Sequence, residues 1–367
     1  MSFGRLVREG DLLVRFLLRA EAEVALLSRV RPVRPPGELE RVRESFLRGA
    51  PREPMGRLRP APPLSELRGA LELVATHLMA EGPLATLYAQ RAGELALEAG
   101  IVEHLGTPAA RDYCLRRFPE PRGEAGRQGH VWSAAWLEPA PPEAGPRYAS
   151  DDASAPESLG RQVEAELRRL RLSARVMFDA ALQSKAAVAE GVVLLRPGVL
   201  LSADEARRIA AHEVRGHVLP RERARSEPLG LLRVGTGGAA DDEEGRALLI
   251  ERRLGLLTGA RRFELALRHQ AARWVRSGAS FVEVVETALA LGADLGSAVE
   301  LADRALRGGG LGRELVYLPR LHEVERAFAA EPGLEAWFER GRVSVSAARV
   351  LSAREAQSSL SSASTGA

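Results

Sequence analysis

The sequence predicts an α+β protein that is mostly helical and has one small sheet. Apolar residues recur at helical spacing along most of the 367 residues, which is typical of amphipathic helices. Two short apolar runs, residues 175–178 and 191–195, have the composition of strands. Two helix starts follow these runs, one at Ser202 and one in the acidic run that begins at Asp241. Most candidate functional residues lie in these last two segments.

The front of the chain is predicted to be a helical region over residues 1–120. It contains no cluster of residues with metal-ligating or catalytic chemistry. Residues 51–63 are rich in proline and are predicted to be an extended connection. The predicted helices of this region span residues 6–27, 38–47, 64–81, 83–105 and 108–117.

Residues 118–158 are rich in Pro, Gly, Ala and Ser, which predicts a long irregular connection that is partly mobile. We place this connection at 121–158, between the helical region and a second domain at 159–357. The second domain is predicted to begin with a helix at 159–172 and to continue through the two strands. Its later helices are predicted at 260–277, 280–290 and 295–306, and residues 358–367 are predicted to be a disordered tail.

Lys185 lies between the two predicted strands and is the single lysine in a chain that contains 51 arginines. A compact ammonium group differs chemically from a planar guanidinium fork, so a binding site can require lysine at such a position. Lys185 is therefore a candidate substrate-binding residue. An ordinary surface lysine is the alternative.

The helix that begins at Ser202 carries the pattern His212-Glu213-x-x-x-His217. Its start is predicted by a capping box, in which Glu205 follows Ser202 by three residues, and Pro220 is predicted to end it. Zinc-hydrolase helices usually place their two histidines four residues apart, on one face.

Here the separation is five residues, which puts the imidazoles roughly 140° apart on a regular helix. A local π-bulge would bring them together, and Gly216 is the residue most able to absorb that distortion. The spacing therefore suits a metal site only on a modified helix, and two histidines that meet by chance on a helix are the alternative.

The acidic run Asp241-Asp242-Glu243-Glu244 opens the next predicted helix. A zinc ion held by two histidines of one helix needs a third protein ligand, commonly a carboxylate of a following helix. A solvated helix start, at which acids favour the positive end of the helix dipole, is the alternative. The order strand, strand, histidine helix, carboxylate helix predicts a zincin-like core. Residues 221–240 are predicted to be the loop across the mouth of its cleft.

The segment His212-Glu213-Val214-Arg215-Gly216-His217, followed by Glu243-Glu244-Gly245-Arg246-Ala247, resembles the microtubule-associated tyrosine carboxypeptidase family. Bacterial members of that family are known as QEGLA-motif proteins. Smaller similar segments extend the resemblance over about residues 12–351. The chain departs from the family pattern at two places: the family usually has Gly-Thr where this chain has Arg215-Gly216, and Leu or Ile where it has Arg246.

The resemblance implies a zinc metallo-carboxypeptidase that removes a C-terminal residue, such as tyrosine or another aromatic residue, from a peptide or protein. It implies Zn²⁺ on His212, His217 and Glu244, with Glu213 as the general base. Glu244 is preferred over Glu243 because the family keeps the second acid and varies the first.

The segment Arg-Gly-Gly-Gly followed by Val-Tyr-Leu, at residues 307–318, also resembles the family. It makes Tyr317 and Arg307 candidates for stabilising the oxyanion, and Arg307 or Lys185 suits a free α-carboxylate of the substrate. Two other functions remain open. One is a non-enzymatic regulatory protein that keeps the fold, since some bacterial relatives are described as modulators of flavohaemoglobin expression, and the other is a zinc endopeptidase.

Composition limits the compartment and the partners. Hydrophobic residues make up 45% of the chain and charged residues 28%, as in soluble globular proteins. There is no run of 18 apolar residues, the N-terminus contains acids too early for a signal peptide, and Cys114 is the single cysteine. The arginine-rich composition is typical of a GC-rich bacterial genome, and no basic stripe with interleaved aromatic residues supports nucleic-acid binding. We therefore expect a bacterial, cytoplasmic protein with neither membrane nor nucleic-acid partners.

Overall fold

The computed structural model describes residues 3–139 and 145–364. Its described part is mostly helical with short strands, so the predicted α+β class is confirmed at that level. The chain forms two compact units: unit 1 comprises Met1–Ala140 and Arg262–Pro319, and unit 2 comprises Pro141–Arg261 and Arg320–Ala367. The predicted division instead kept residues 159–357 together. None of the helices within the described ranges is both long and apolar enough to cross a bilayer.

The helices differ from the predicted ones mainly at their ends. The predicted helix at 6–27 is interrupted at Ala25, which has a left-handed backbone with φ 40°. In chain order the described helices are α1 (Phe3–Val24), α2 (Leu26–Arg29), α3 (Glu38–Leu47), α4 (Ser65–Leu78), α5 (Pro83–Glu103), α6 (Pro108–Arg117), α7 (Gly123–Ala135), α8 (Leu159–Leu170), α9 (Ala203–Ala211), α10 (Leu219–Ala224), α11 (Leu231–Val234), α12 (Ala239–Arg253), α13 (Gly259–Arg276), α14 (Phe281–Ala290), α15 (Leu295–Ala305), α16 (Tyr317–Ala330), α17 (Leu334–Arg340) and α18 (Val345–Ser364). A π-helical segment spans His212–Val218, and short 3₁₀ turns span Arg307–Gly309 and Arg313–Leu315.

The strands of the described residues all lie in unit 2. They are β1 (Arg147–Ala149), β2 (Arg175–Phe178), β3 (Ala186–Ala189), β4 (Val192–Leu195) and β5 (Leu200–Ser202). β4 is the central strand of a three-stranded sheet, parallel to β2 and antiparallel to β3. β1 and β5 form a separate antiparallel pair. The two predicted strands are thus confirmed as β2 and β4, and β1, β3 and β5 were not predicted.

The prediction of irregular chain over 118–158 is wrong for α7 and β1. Two glycines of α7 are packing residues rather than helix breakers. A Cβ on Gly126 would lie 2.5 Å from the backbone of Pro121, and one on Gly129 would lie 2.7 Å from the ring of Pro319. Glycine therefore allows close approach at these points. Residues 140–144, which include two prolines of the predicted connection, lie outside the described residues.

Unit 1 has a core built by α3, α13, α14 and α15. Its fully buried members include Val42, Ala271, Phe281, Val285 and Ala302. α14 begins at Ser280 with a capping box to Glu283, which fixes the start of a helix that contributes much of this core.

Unit 2 positions the candidate site by packing α8 and β4 against the histidine helix. The apolar faces of these elements form one cluster that includes Leu159, Val163, Val193, Leu195, Ile209 and Val214. Two predictions for the following residues are wrong in part. Pro220 does not end the helix but lies in the first turn of α10, where the missing N–H of proline is tolerated. The predicted cleft loop at 221–240 contains the end of α10 and all of α11.

The last helix, α18, runs to Ser364 and so enters the segment 358–367 for which the sequence predicts disorder. Residues 365–367 lie outside the part of the chain that the structure describes.

Candidate metal centre

The helix start predicted at Ser202 is confirmed. The Ser202 hydroxyl accepts a hydrogen bond from the Glu205 backbone N–H at 3.1 Å, and the Glu205 carboxylate accepts one from the Ser202 N–H at 3.2 Å. α9 then continues without a break into the π-helical segment His212–Val218. This is the local geometry that the five-residue spacing requires, and the ring centroids of His212 and His217 lie 5.2 Å apart.

Gly216 has a different role from the predicted one. Its φ is not positive, so glycine is not required there by the backbone. A Cβ on Gly216 would instead lie 2.7 Å from the Cβ of Ala247 on α12. Gly216 thus lets the π-helical segment approach α12 closely, which brings the acids of α12 near the histidines.

His212, His217 and Glu244 form a buried group that could hold one metal ion. One ligand atom of each lies within 4.8 Å of the other two, and no other such group occurs among the described residues. The Nε2 atoms of His212 and His217 lie 3.4 and 3.9 Å from the carboxylate oxygens of Glu244. Ligands about 2.1 Å from a tetrahedral metal are about 3.4 Å apart, so small side-chain movements would close this sphere.

Each imidazole has a second carboxylate near its other nitrogen. Nδ1 of His212 lies 2.7 Å from Oε1 of Glu251, and Nδ1 of His217 lies 3.6 Å from Oε2 of Glu243. Metal-binding histidines commonly donate the remaining N–H to a carboxylate, which orients the ring. The arrangement leaves both Nε2 atoms for a metal ion and gives Glu243 and Glu244 different places, with Glu244 in the triad.

The electrostatics of these groups follow from burial and from buried arginines. Burial raises the pKa of Glu251, but the charges of Arg261 and Arg208 and the hydrogen bond with His212 outweigh it, and the pKa is about 2. Glu243 behaves similarly: burial raises its pKa, while Arg342 and the nearby His217 and Arg221 lower it to about 2. Both carboxylates are therefore ionised acceptors at neutral pH.

Burial alone would lower the pKa of His212, but its hydrogen bonds with Glu244 and Glu251 raise it to about 9. A proton on Nε2 of His212 competes with a metal ion for the same lone pair, so metal binding at this site would release a proton.

Glu251 and its partner Arg261 were missed by reasoning from the sequence. Arg261 donates to both carboxylate oxygens of Glu251, at 2.9 and 3.1 Å, and Glu251 is fully buried. One signal was available, because Glu251 follows Glu244 by seven residues and two helical turns bring such residues to the same face. Arg261 gave no such signal, since its position depends on the turn between α12 and α13.

The two departures from the family pattern are connected in the structure. The guanidinium of Arg246 is buried and donates to the backbone carbonyl of Arg215 in the π-helical segment, at 2.7 Å. The side chain of Arg215 in turn donates two hydrogen bonds to Glu166 of α8, at 3.1 and 2.9 Å. Arg246 and Arg215 thus tie the π-helical segment to α12 and α8.

Glu213 follows the first histidine and is partly exposed. Its carboxylate has no hydrogen bond or ion pair with any group in the described ranges. A carboxylate free of cationic partners can accept a proton without breaking an existing interaction, which is the property required of a general base.

The other predicted site residues are not members of the triad. Lys185 lies just before β3, with Nζ 3.3 Å from the Glu205 carboxylate that caps α9. Tyr317 and Arg307 belong to unit 1, whereas the triad belongs to unit 2. The Tyr317 hydroxyl accepts hydrogen bonds from Arg304 and Arg313, at 3.2 and 3.1 Å.

Gly245, between the triad carboxylate and Arg246, is required by close packing. A Cβ there would lie 2.5 Å from the backbone carbonyl of Arg320 on α16. We expect Gly245→Ala to reduce the free energy of unfolding by about 3 kcal/mol, at the upper end of typical overpacking costs, because backbone must move. Urea unfolding measures the change.

Gly333→Ala is the matched control for this prediction. Gly333 also lies in unit 2, has φ −63°, and has nothing within 4 Å of an added Cβ. The Gly333→Ala variant should leave the free energy of unfolding unchanged or raise it slightly. Equal stabilities of the two variants would show that the approach of α12 to α16 is looser than described.

Comparison with known proteins shows a family match. The family model described as microtubule-associated tyrosine carboxypeptidase matches residues 49–364. This span contains the triad, the π-helical segment and α12. No curated protein and no solved structure matches the chain significantly.

Proposed function

Because the chain belongs to the microtubule-associated tyrosine carboxypeptidase family, we propose that it is a zinc-dependent carboxypeptidase. In this proposal it removes one C-terminal residue, tyrosine or another aromatic residue, from a peptide or protein. The observation that carries the proposal is the convergence of His212, His217 and Glu244 on one buried point.

The donor set supports zinc as the metal. Two imidazole nitrogens and one carboxylate oxygen are the ligands of many catalytic zinc sites, in which the fourth position stays open. When bound there, zinc would supply a Lewis acid for the peptide carbonyl and would acidify water to a pKa near 7. The carboxylates of Glu251 and Glu243 support this assignment, since each lies beside Nδ1 of one imidazole and leaves Nε2 for the metal.

Glu213 is proposed to move the proton in the reaction. Its position next to His212 on the π-helical segment makes it adjacent in sequence to a ligand without being a member of the triad. We propose that its carboxylate takes a proton from the attacking water and then delivers it to the nitrogen of the leaving amino acid. Breaking the peptide bond thus yields a shortened chain and a free amino acid.

Lys185 keeps the role proposed for it from the sequence. It belongs to unit 2, as the triad does, its side chain is 39% exposed, and it is proposed to contact the substrate carboxylate. Tyr317 and Arg307 belong to unit 1, and their roles stay predictions from the family resemblance.

The direct test of the reaction is digestion of a peptide library by the zinc-loaded protein. Release of single C-terminal residues from free-acid peptides, with amidated peptides left intact, is the expected result. Internal cuts would instead establish an endopeptidase. Zinc bound without any cleavage would reject the enzymatic proposal and favour a regulatory protein that keeps the fold.

Removing the charge of Glu251 tests the orientation of His212. We expect Glu251→Gln to bind zinc about 10–100-fold more weakly, as is typical when the carboxylate behind a ligating histidine is lost. Competition with a chromogenic chelator measures the affinity. The control is Glu325→Gln, which removes a partly exposed acid paired with Arg252 in the same unit. This control should leave the zinc affinity unchanged. An equal loss of zinc affinity in both variants would show that Glu251 does not orient His212.

A further inference from the structure

A cluster of arginines in unit 1 is not explained by the metal chemistry of unit 2. We propose that Arg31 and Arg307, with Arg304 beside them, form a binding site for a small oxyanion, either a carboxylate or inorganic phosphate. The proposal does not depend on the proposed peptidase activity.

A backbone contact brings the two central arginines together. The N–H of Gly308 donates to the carbonyl of Val30 at 3.1 Å, so the glycine turn after α15 meets the segment that follows α2. Gly308 has φ 61°, and a Cβ there would lie 3.0 Å from Cγ1 of Val30. The turn therefore requires glycine, and it sets Arg307 next to Arg31.

The cations of this cluster lack enough acceptors. Arg31 makes no hydrogen bond or ion pair with any group in the described ranges, and its Nε is buried without an acceptor. Arg307 is 18% exposed, and among the described residues its side chain reaches only Asp303, at 3.7 Å; its Nε is also buried without an acceptor. Asp303 is already bound by Arg34 at 2.5 Å. Buried donors without acceptors are costly and point to a missing partner.

The nearby acid Glu314 does not supply that partner. Its two oxygens are taken by Arg268 at 2.5 Å and by Arg304 at 2.7 Å. The amides of the glycine turn are also taken, because Gly309 and Gly310 donate to the carbonyls of Leu306 and Arg307. The free donors of the cluster are therefore guanidinium groups.

Electrostatics agree with this geometry. Burial, and then repulsion by Arg304 and Arg31, lowers the pKa of Arg307 to about 10. Burial and repulsion by Arg304 and Arg313 also lower the pKa of Arg31, and the attraction of Asp303 offsets only part of this. A base whose pKa falls on folding is less stable in its charged form inside the protein. An anion between Arg31 and Arg307 would remove this penalty.

The donors identify the chemical class of the ligand. Guanidinium groups bind carboxylates and phosphates through paired, charge-assisted hydrogen bonds. Both ligands offer two or more oxygens that share negative charge. Inorganic phosphate and N-acetylglycine are suitable probes of the two sources, and N-acetylglycinamide is the neutral analogue of the second.

The experiment measures phosphate binding by calorimetry at constant ionic strength, with a chelator present so that the metal centre cannot bind the anion. We expect Arg307→Gln and Arg31→Gln to weaken phosphate binding about tenfold or more, as for the loss of one charge-assisted hydrogen bond. Arg48→Gln is the control, since it removes an arginine of the same unit that is 66% exposed. Arg307→Lys keeps the positive charge but loses the planar guanidinium group, and it is expected to weaken phosphate binding less than Arg307→Gln. It replaces Arg307→Gln in the experiment if the glutamine variant does not fold.

A second measurement separates a binding site from a structural cluster. In anion-free buffer, Arg31→Gln should raise Tm, because it removes a repelling cation, and it should also reduce the rise in Tm that phosphate causes. Displacement of phosphate by N-acetylglycine but not by N-acetylglycinamide would assign the site to carboxylates, and no displacement by either would assign it to phosphate. Absence of phosphate and N-acetylglycine binding, or equal weakening by Arg48→Gln, would overturn the proposal.

Discussion

Replacing Glu213 with glutamine is expected to abolish turnover while zinc stays bound. The amide has nearly the shape of the carboxylate but cannot accept the proton of the attacking water, so the general-base contribution of about 10²–10⁴ in rate is lost. Glu213 is not a member of the triad, and the metal content should therefore stay at one ion per chain. Release of the C-terminal amino acid and metal analysis on the same sample measure the two effects.

The matched control is Glu190→Gln, which removes an acid of the same unit that is 93% exposed. This variant should keep full activity and full metal content. Turnover retained by Glu213→Gln would refute its role as the base. Loss of metal from Glu213→Gln would show that Glu213 belongs to the coordination sphere and that the proposed sphere is wrong.

Replacing Glu244 with alanine should remove the metal, whereas the same change at Glu243 should only weaken its binding. Glu244 faces the Nε2 atoms of both histidines, while Glu243 lies at Nδ1 of His217. We expect zinc affinity to fall more than about 100-fold in Glu244→Ala, beyond the 10–100-fold typical of an outer carboxylate, which is the range expected for Glu243→Ala. Turnover should be lost in Glu244→Ala and partly kept in Glu243→Ala at saturating zinc.

The two variants control each other, because the acids are neighbours on α12 and both are buried. A general loss of stability would affect both alike, and thermal unfolding without metal detects it. A larger loss of zinc affinity in Glu243→Ala would exchange the two roles and would place the metal on the other nitrogen of His217.

Much of the candidate site could be predicted because its signals are local. The capping box at Ser202 depends on a residue three positions away, and the start of α12 was marked by its acids. The five-residue spacing of His212 and His217 required a π-helical segment, and the structure has one. Signals of this kind depend on residues within one or two helical turns, which are adjacent in the sequence.

The features that were missed depend on contacts between distant residues. The composition of residues 118–158 predicted irregular chain, but in α7 Gly126 and Gly129 make room for Pro121 and Pro319. The hydrogen bond of His212 with Glu251 joins residues that are 39 positions apart. Apart from the seven-residue spacing of Glu244 and Glu251, none of these partners leaves a mark in the local pattern.

The two arginines that depart from the family pattern illustrate the same limit. From the sequence, Arg215 and Arg246 read as changes beside the metal helix that could alter the pocket. In the structure they form one set of contacts, in which Arg246 bonds the carbonyl of Arg215 and Arg215 bonds Glu166. Their effect is to hold the π-helical segment, and no substitution pattern on one helix could have shown it.

X-ray diffraction at the zinc absorption edge, from crystals grown with zinc, tests the central claim most directly. The expected result is one anomalous peak per chain, about 2 Å from Nε2 of His212, Nε2 of His217 and a carboxylate oxygen of Glu244. A peak bound by other side chains, or no peak between these three in zinc-saturated crystals, would contradict the account.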